Sequence, residues 1–461
     1  MQLPGHITFT LRTGEAFSHV PNHLDFVLGT TRAALRLDGG VLDRVIRKWG
    51  GGGRTLGVYP SRRGLGRAGE HGAGFDDTEE QFGLSRTYRV QIADPERSAM
   101  VRDALRDLQI VESAAVQALA IAPLTQGVPS QRTELTPEAA APYRRIRVAE
   151  AQTLEPGEED VTVAVVDTGV SLGHPELQRK CLAGYNTVDI GFGQLNANLR
   201  LVGDSWGVGF NPQDGVGHGS MVAGIIGAQG WRVHRGVAAR ALLLPTRVLA
   251  AAQAAPDGPR IGVGSLSDID AGIKVAVDLG ADVLNLSFGT PASSLPKGDP
   301  RPHSRSISYA LHYGCTLVAA SGNKGDDDKY YPAALPGVIA VGSVNPQNER
   351  SRFSSFGDHL CLCAPGERIF GIARRGYRVN SGTSFAAPFV SGVAALIVAC
   401  ARRAGLALGG EGVRRVLIES AAPLAGGGFH PETGYGLVDA LSAIRLVNSM
   451  VASAKTNGRP V

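Results

Sequence analysis

Residues 161–169 read VTVAVVDTG. A run of apolar and β-branched residues closed by an aspartate and a Thr-Gly turn describes a strand buried on both faces, because a half-exposed strand would alternate with polar positions. Later runs share this character: 242-LLLPTRV, 282-DVLNLSF, 315-CTLVAAS and 338-VIAVGSV. Between and after them lie stretches with helical spacing, 218-HGSMVAGIIGA, 266-LSDIDAGIKVAVDLG, 305-RSISYALHYG and 384-SFAAPFVSGVAALIVACARRAG. Strand and helix in alternation predict an α/β domain on a parallel sheet, beginning near Tyr143.

Upstream, residues 1–122 read in the order β-α-β-β-α-β: 7-ITFTLR, a helical 31-TRAALRLDGGVLDRVIRKW, 54-RTLGVYP, 87-TYRVQI, a helical 94-DPERSAMVRDALRDL and 115-AVQALAI. That order predicts a small α+β, ferredoxin-like sandwich. The glycine-rich 60-PSRRGLGRAGEHGAGFDDTEEQFG is expected to be a mobile loop, and the aperiodic 123-PLTQGVPSQRTELTPEAAAP an interdomain linker over 123–142.

A length of 461 residues allows two or three domains at roughly 150 residues each. An apolar fraction of 43% with 19% charged residues describes a globular protein with a sizeable core. The 46 Lys and Arg against 42 acids leave a net charge of +4, too little for a footprint on nucleic acid, so no nucleic-acid partner is expected. No apolar stretch is read as long enough to span a membrane, so no membrane insertion is expected either. Met1–Thr13 lack a basic start followed by an apolar run, which sets the expectation of a cytoplasmic protein, or one released without a standard signal. Cys181, Cys315, Cys361, Cys363 and Cys400 are odd in number and mostly lie in apolar runs, so they read as buried, reduced thiols; Cys361-x-Cys363 has no further cluster to make a zinc site.

Four polar residues stand at the ends of apolar elements. Asp167 closes a strand at the carboxyl edge of the sheet, where such folds place their sites, although an aspartate capping a turn fits equally well. His218 lies between two glycines at a helix start, and the bland alternative is a core histidine. Ser384 precedes a long apolar helix whose N-terminus favours negative charge, with Pro388 expected in the first turn; an ordinary N-cap serine is the alternative. Asn323, in 318-VAASGNKG, could donate to an oxyanion or occupy a left-handed turn.

Together and in this order they are specific. The stretches 164-AVVDTGV, 217-GHGSMVAG, 319-AASGN and 381-SGTSFAAPFVSG, with the tail motif 433-TGYGLVDALSA, resemble the subtilisin-like serine proteases, the subtilases, over about Tyr143–Val447. The resemblance implies a subtilisin-like parallel sheet flanked by helices, a catalytic domain over 143–447 with a tail from 448, and hydrolysis of peptide bonds. It makes Ser384 the nucleophile, His218 the base, Asp167 its orienting carboxylate and Asn323 an oxyanion donor, with no cofactor required. It further implies substrate contacts at Leu286, Ser287, Phe288 and Gly289 on one wall and Ala320, Ser321 and Gly322 on the other. Leu266 and Ile269 would line a more distant apolar subsite.

Ser220 and Met221 depart from the family's usual Thr and His. An extra stretch, 189-DIGFGQLNANLRLVGDSWGVGFNPQDG, is expected to be a solvated surface loop and leaves a structural calcium unassigned, since its spacing fits no EF-hand. Lys324 and Tyr330 fall where relatives close the primary pocket, which would narrow it or give it a polar floor. The N-terminal domain resembles a subtilase prodomain in shape, so that domain, or an inhibitory partner, is expected to restrain a protease acting on protein or peptide substrates. Two other readings use the same residues: a peptide ligase or cyclase sharing the acyl-enzyme, and a silent peptide-binding scaffold.

Overall fold

The computed structural model describes residues 2–22, 25, 33–66, 74–122, 128–129, 136–191, 193–196, 198–205, 207–424 and 426–456. At the N-terminus, β1 (Gln2–Leu11), β2 (Gly53–Gly57), β3 (Thr87–Ile92) and β4 (Val111–Ala122) form an antiparallel sheet. It carries α1 (Val41–Gly50) and, after the short α2 (Asp77–Gln81), α3 (Ser98–Arg106). Ile7, Phe9, Leu42, Val90 and Val101 are among the residues of its core. The helix expected from residue 31 begins only at Val41. Asp38 accepts hydrogen bonds from the N–H groups of Gly40, Leu42 and Asp43, and this Asp-Gly-Gly turn sets the start.

The stretch expected to be a mobile loop at 60–83 carries two short helices, Arg62–Gly66 and α2, with Glu79 buried and Arg62, Arg63, Gly74 and Glu80 exposed; its residues 67–73 lie outside the described set. Asp76 and Glu79 form a reciprocal capping box at α2, and the flanking Val58, Tyr59 and Leu84 are buried in the core of the following domain. The expected linker is also partly helical: Thr136 caps α4 (Pro137–Arg145), with Pro137 at the first helical position, while 123–127 and 130–135 lie outside the described residues.

After β5 (Val128–Pro129) come β6 (Thr162–Asp167), β7 (Tyr185–Asn186), β8 (Gln194–Asn196), β9 (Leu199–Leu201), β10 (Leu242–Arg247), β11 (Ala250–Gln253), β12 (Ile261–Ser265) and β13 (Val283–Leu286). They are followed by β14 (Thr316–Ala320), β15 (Ile339–Val344), β16 (Leu360–Pro365), β17 (Ile369–Ile372) and β18 (Tyr377–Asn380). A seven-stranded sheet in the order β16-β15-β14-β13-β6-β10-β7 is parallel throughout. Its inner strand β6 is buried at every residue, which is what an uninterrupted apolar run requires. Helices α5 (His218–Gly227), α6 (Leu266–Asp278), α7 (Ser304–His312), α8 (Thr383–Arg403) and α9 (Ala440–Thr456) flank it, the last running on past residue 448. This is the subtilisin-like α/β architecture expected of residues 143–447.

Helix α8 is long and apolar enough to cross a membrane by length and composition, contrary to the reading of the sequence. Its apolar window, however, is entirely buried inside the protein, where it serves as the central core helix. The inserted stretch after residue 189 is a solvated loop only in part: Gly203, Asp204, Gly207, Phe210 and Asn211 are exposed, but other residues are not. Val188, Ile190, Leu199 and Leu201 are buried and β9 pairs with β11, so scattered apolar residues among Gly, Asn and Asp form a second small core.

The two halves share one sheet. The last residues of β4, Leu119 to Ala122, pair antiparallel with Ser265 to Gly262 of β12, giving the order β2-β3-β1-β4-β12-β11-β9-β8. Charges seal the contact: Lys274 of α6 lies 2.6 Å from Glu79 and is bonded to Asp278, all fully buried, and Arg89 bridges Asp189 and Asp268.

Candidate active site

Asp167 ends β6 and His218 opens α5, and both side chains are inaccessible to solvent. His218 Nδ1 stands 2.8 and 3.0 Å from the two carboxylate oxygens of Asp167, which assigns the proton to Nδ1 and leaves Nε2 as the basic atom. Gly219 makes the approach possible: a Cβ there would lie 2.2 Å from the Gly169 carbonyl and 3.0 Å from Asp167 Cβ. Burial by itself would push the imidazole below its ordinary pKa. The charge and hydrogen bond of Asp167, with Asp214 behind, outweigh it and hold His218 above that value. Nε2 is buried without a hydrogen-bond partner among the described residues.

Ser384 is the second residue of α8, and the ring of the next residue, Phe385, has its centre 5.3 Å from that of the imidazole. The Ser384 hydroxyl donates to the Ser287 carbonyl at 3.1 Å, and the Ser287 hydroxyl donates to the Ser384 carbonyl at 2.9 Å. Pro388 explains the second bond. It lies in the second helical turn, not the first as the sequence suggested, and without an N–H it cannot serve the carbonyl four residues back, leaving the Ser384 carbonyl free for Ser287. Asn323 Oδ1 accepts from the Thr383 N–H at 2.8 Å and from the Thr383 hydroxyl at 2.9 Å, which turns its amide nitrogen toward Gly382, the residue before the helix. The structure thus joins Asp167 to His218 and Asn323 to the start of α8, while Ser384 is turned onto Ser287.

The cleft over these groups holds the protein's own chain. Ile121 and Gly289 exchange backbone hydrogen bonds at 3.3 Å, so the end of β4 lies between β12 and the 285–289 segment. Leu286 and Ser287 are fully buried, Phe288 nearly so, and on the facing wall Ala320 and Ser321 are buried beside Gly322. Tyr330 closes the space between the walls. Its ring lies 2.6 Å from where a Cβ on Gly322 would stand and 3.3 Å from one on Gly289. Lys324, in contrast, is exposed, and Leu266 and Ile269 lie at the start of α6, Ile269 fully buried.

A model of the subtilase family matches residues 158–436, more than half of the chain. The chain belongs to the subtilase family. It is similar to the thermophilic serine proteinase of Bacillus sp. (strain AK1), 31% identical over 62% of this chain and 62% of that protein. It is 32% identical to thermitase of Thermoactinomyces vulgaris over 61% of this chain and 88% of that one. The major intracellular serine protease of Bacillus subtilis is 36% identical over 52% and 68%. By family, then, this chain is a subtilisin-like serine protease.

One residue of this subtilase site was missed in the sequence. Asp214, nearly inaccessible, accepts from Thr168 Oγ1, Val216 N and Gly217 N at 2.8 Å each, from Ser220 N at 2.9 Å and from Ser220 Oγ at 2.6 Å. It ties the loop before His218 to the end of β6 and contributes to the raised imidazole pKa, while burial pushes its own carboxyl upward. The signal was a lone aspartate four residues before His218, absorbed into the inserted loop. The acids of that loop do not fit a calcium ion: Asp189 is paired with Arg89, Asp204 with Arg247, and Asp214 is consumed by its five donors. Among the described residues no group of three or more His, Cys, Asp or Glu converges. The five cysteines are free, and burial pushes the thiols of Cys181 and Cys400 to about 11, so they are poor nucleophiles.

Proposed function

We propose that this subtilase is a serine endopeptidase acting on protein or peptide substrates through Ser384. The observation that carries this is a buried imidazole whose Nδ1 is held at 2.8 Å by a buried carboxylate, with Nε2 unpartnered among the described residues and the ring packed on Phe385, the residue after Ser384. In the reaction Ser384 must leave the Ser287 carbonyl so that Oγ meets Nε2, a tightening on substrate binding that resting sites commonly need. His218 then takes the hydroxyl proton as Oγ attacks the peptide carbonyl, and returns it to the leaving amine as the acyl-enzyme forms. Water repeats the sequence to release the acid. Asn323 Nδ2 and the N–H of Ser384 stabilise the oxyanion, one such donor being worth about 10²–10³ in turnover. A fluorophosphonate probe tests the assignment: a single adduct on Ser384, absent from the Ser384→Ala variant, is expected, and no adduct, or one elsewhere, would remove it.

The N-terminal domain is proposed to restrain this site by laying Leu119–Ala122 in the cleft, as the pairing with β12 and Gly289 supports. The chain's own reaction would then release it. Wild-type protein is expected to show a break within the linker 123–142 while Ser384→Ala stays whole; equal, uncut bands would end the idea.

A further inference from the structure

Beyond His218 lies a cavity of about 510 Å³ whose wall carries four arginines, Arg260, Arg374, Arg375 and Arg378, against one carboxylate, Asp257. The cavity reaches the loop that carries the base. Gly217, the residue before His218, lines it, and a Cβ on Gly217 would stand 3.0 Å from the Arg374 N–H. Arg260 is anchored by a 2.9 Å bond from Nη1 to the Gly215 carbonyl, so its head group is fixed on the histidine loop. Among the described residues none of the four guanidiniums is in an ion pair. A second cavity, of about 740 Å³, shares Arg374 and Arg375 and adds Arg232 and the exposed Trp231, so the positive lining continues outward.

The side of the scissile bond follows from strand direction. An antiparallel strand at Gly289, like that of Ile121, runs from its N-terminal end at Gly289 toward Ser287, whose carbonyl receives the Ser384 hydroxyl. Residues that follow the cut therefore lie past Ser384, toward β18, which carries Arg378 and pairs with the protein's own downstream Val128–Pro129. The occupants of the near side, Leu119 to Ala122, are apolar, and the chain from Pro123 to Thr133 contains no carboxylate to match the arginines.

We propose that this arginine wall selects peptides with Asp or Glu in the first positions after the cleaved bond. The inference rests on the endopeptidase reading and deepens it by naming the substrate class. Guanidiniums stay charged at every accessible pH, match a carboxylate with paired N–H donors, and in a recess of one sign concentrate anionic ligands. With a single acid, Asp257, on the wall and none of the four in an ion pair among the described residues, they gain their partners from the substrate. An acidic leaving peptide would be held next to His218 while its amine is protonated, so the preference is exerted on kcat/KM.

The test compares full-length wild type, Arg374→Glu/Arg378→Glu and Arg374→Gln/Arg378→Gln on matched peptides with Glu or Lys in the two positions after the cut, and maps new N-termini in a denatured protein mixture. Wild type is expected to favour Glu by about tenfold at low salt, the combined effect of exposed to half-buried charge pairs, and to lose much of that at high salt. The Gln pair should abolish the preference and the Glu pair should reverse it toward Lys. An equal Glu-to-Lys ratio in wild type, or a ratio the Glu pair leaves unchanged, would overturn the proposal while leaving the protease intact. Absence of any cleavage by wild type beyond Ser384→Ala would instead remove the endopeptidase reading underneath it.

Discussion

Replacing Asp214 should damage both the stability of the histidine loop and the pH response of the reaction. Its carboxylate receives three backbone N–H groups, from Val216, Gly217 and Ser220, and the hydroxyls of Thr168 and Ser220. The hydroxyls can turn to other acceptors; the N–H groups cannot. At about 1–3 kcal/mol for each unsatisfied buried donor, and with water able to enter the space left by Asp214→Ala, a loss of about 3 kcal/mol is expected. Asp214→Asn is milder. It keeps the three bonds to Oδ1 but sets an amide against the Ser220 N–H, costing about 1–3 kcal/mol. It also deletes a charge that raises the His218 pKa. The base must be neutral to act, so a lower imidazole pKa moves the acid limb of kcat/KM to lower pH, with a lower plateau if the ring is displaced. Denaturant unfolding and a pH-rate profile of Asp214→Asn read both effects. Unfolding unchanged within about 0.5 kcal/mol together with an unmoved acid limb would refute the assigned role.

Three further outcomes follow from other parts of the molecule. Lys274→Met leaves the buried Glu79 and Asp278 carboxylates facing each other without their cation and should cost about 3–5 kcal/mol in denaturant unfolding; a loss under about 1 kcal/mol would mean the cluster is not a structural seal. Tyr330→Ala opens the space between Gly289 and Gly322, so kcat/KM for a peptide with Phe before the cut should rise about tenfold or more relative to Ala, and an unchanged ratio would show that the ring does not close the pocket. His6 is held down to about 3 by burial and then by the Arg89 charge, so the stability it confers is present above about 6.5 and is lost as pH falls toward about 3. Asp268, pushed upward by burial, acts with the opposite sign, so the comparison of wild type with His6→Leu isolates the histidine: the variant should lose less stability on acidification, and parallel pH curves would contradict this.

The parallel sheet was legible because β6, β10, β13, β14 and β15 are buried on both faces and so appear as unbroken apolar runs. Asp167, His218, Asn323 and Ser384 were legible because each follows or opens such an element at a turn, and Gly219, one of the glycines flanking His218, is needed for the close approach to Asp167. What escaped depends on long-range partners. Glu79 looks like one acid in a charged stretch until Lys274, far along the chain, is placed against it. Leu199 and Leu201 look isolated among Gly and Asn until β11 pairs with their strand. Pro388 could be assigned its role only once Ser287 was seen to take the carbonyl that the proline leaves free. Asp214 offered no periodicity at all, since three of its five donors are backbone N–H groups that the fold brings to it and the others are the hydroxyls of Thr168 and Ser220.

The most direct measurement is hydrolysis of a denatured protein by purified wild type and Ser384→Ala, with products identified by mass. Wild type should generate new N-termini by water addition at internal peptide bonds and Ser384→Ala none above background. Cleavage that survives in Ser384→Ala would contradict the assignment of Ser384 as the nucleophile. A wild type that cuts nothing would contradict endopeptidase action.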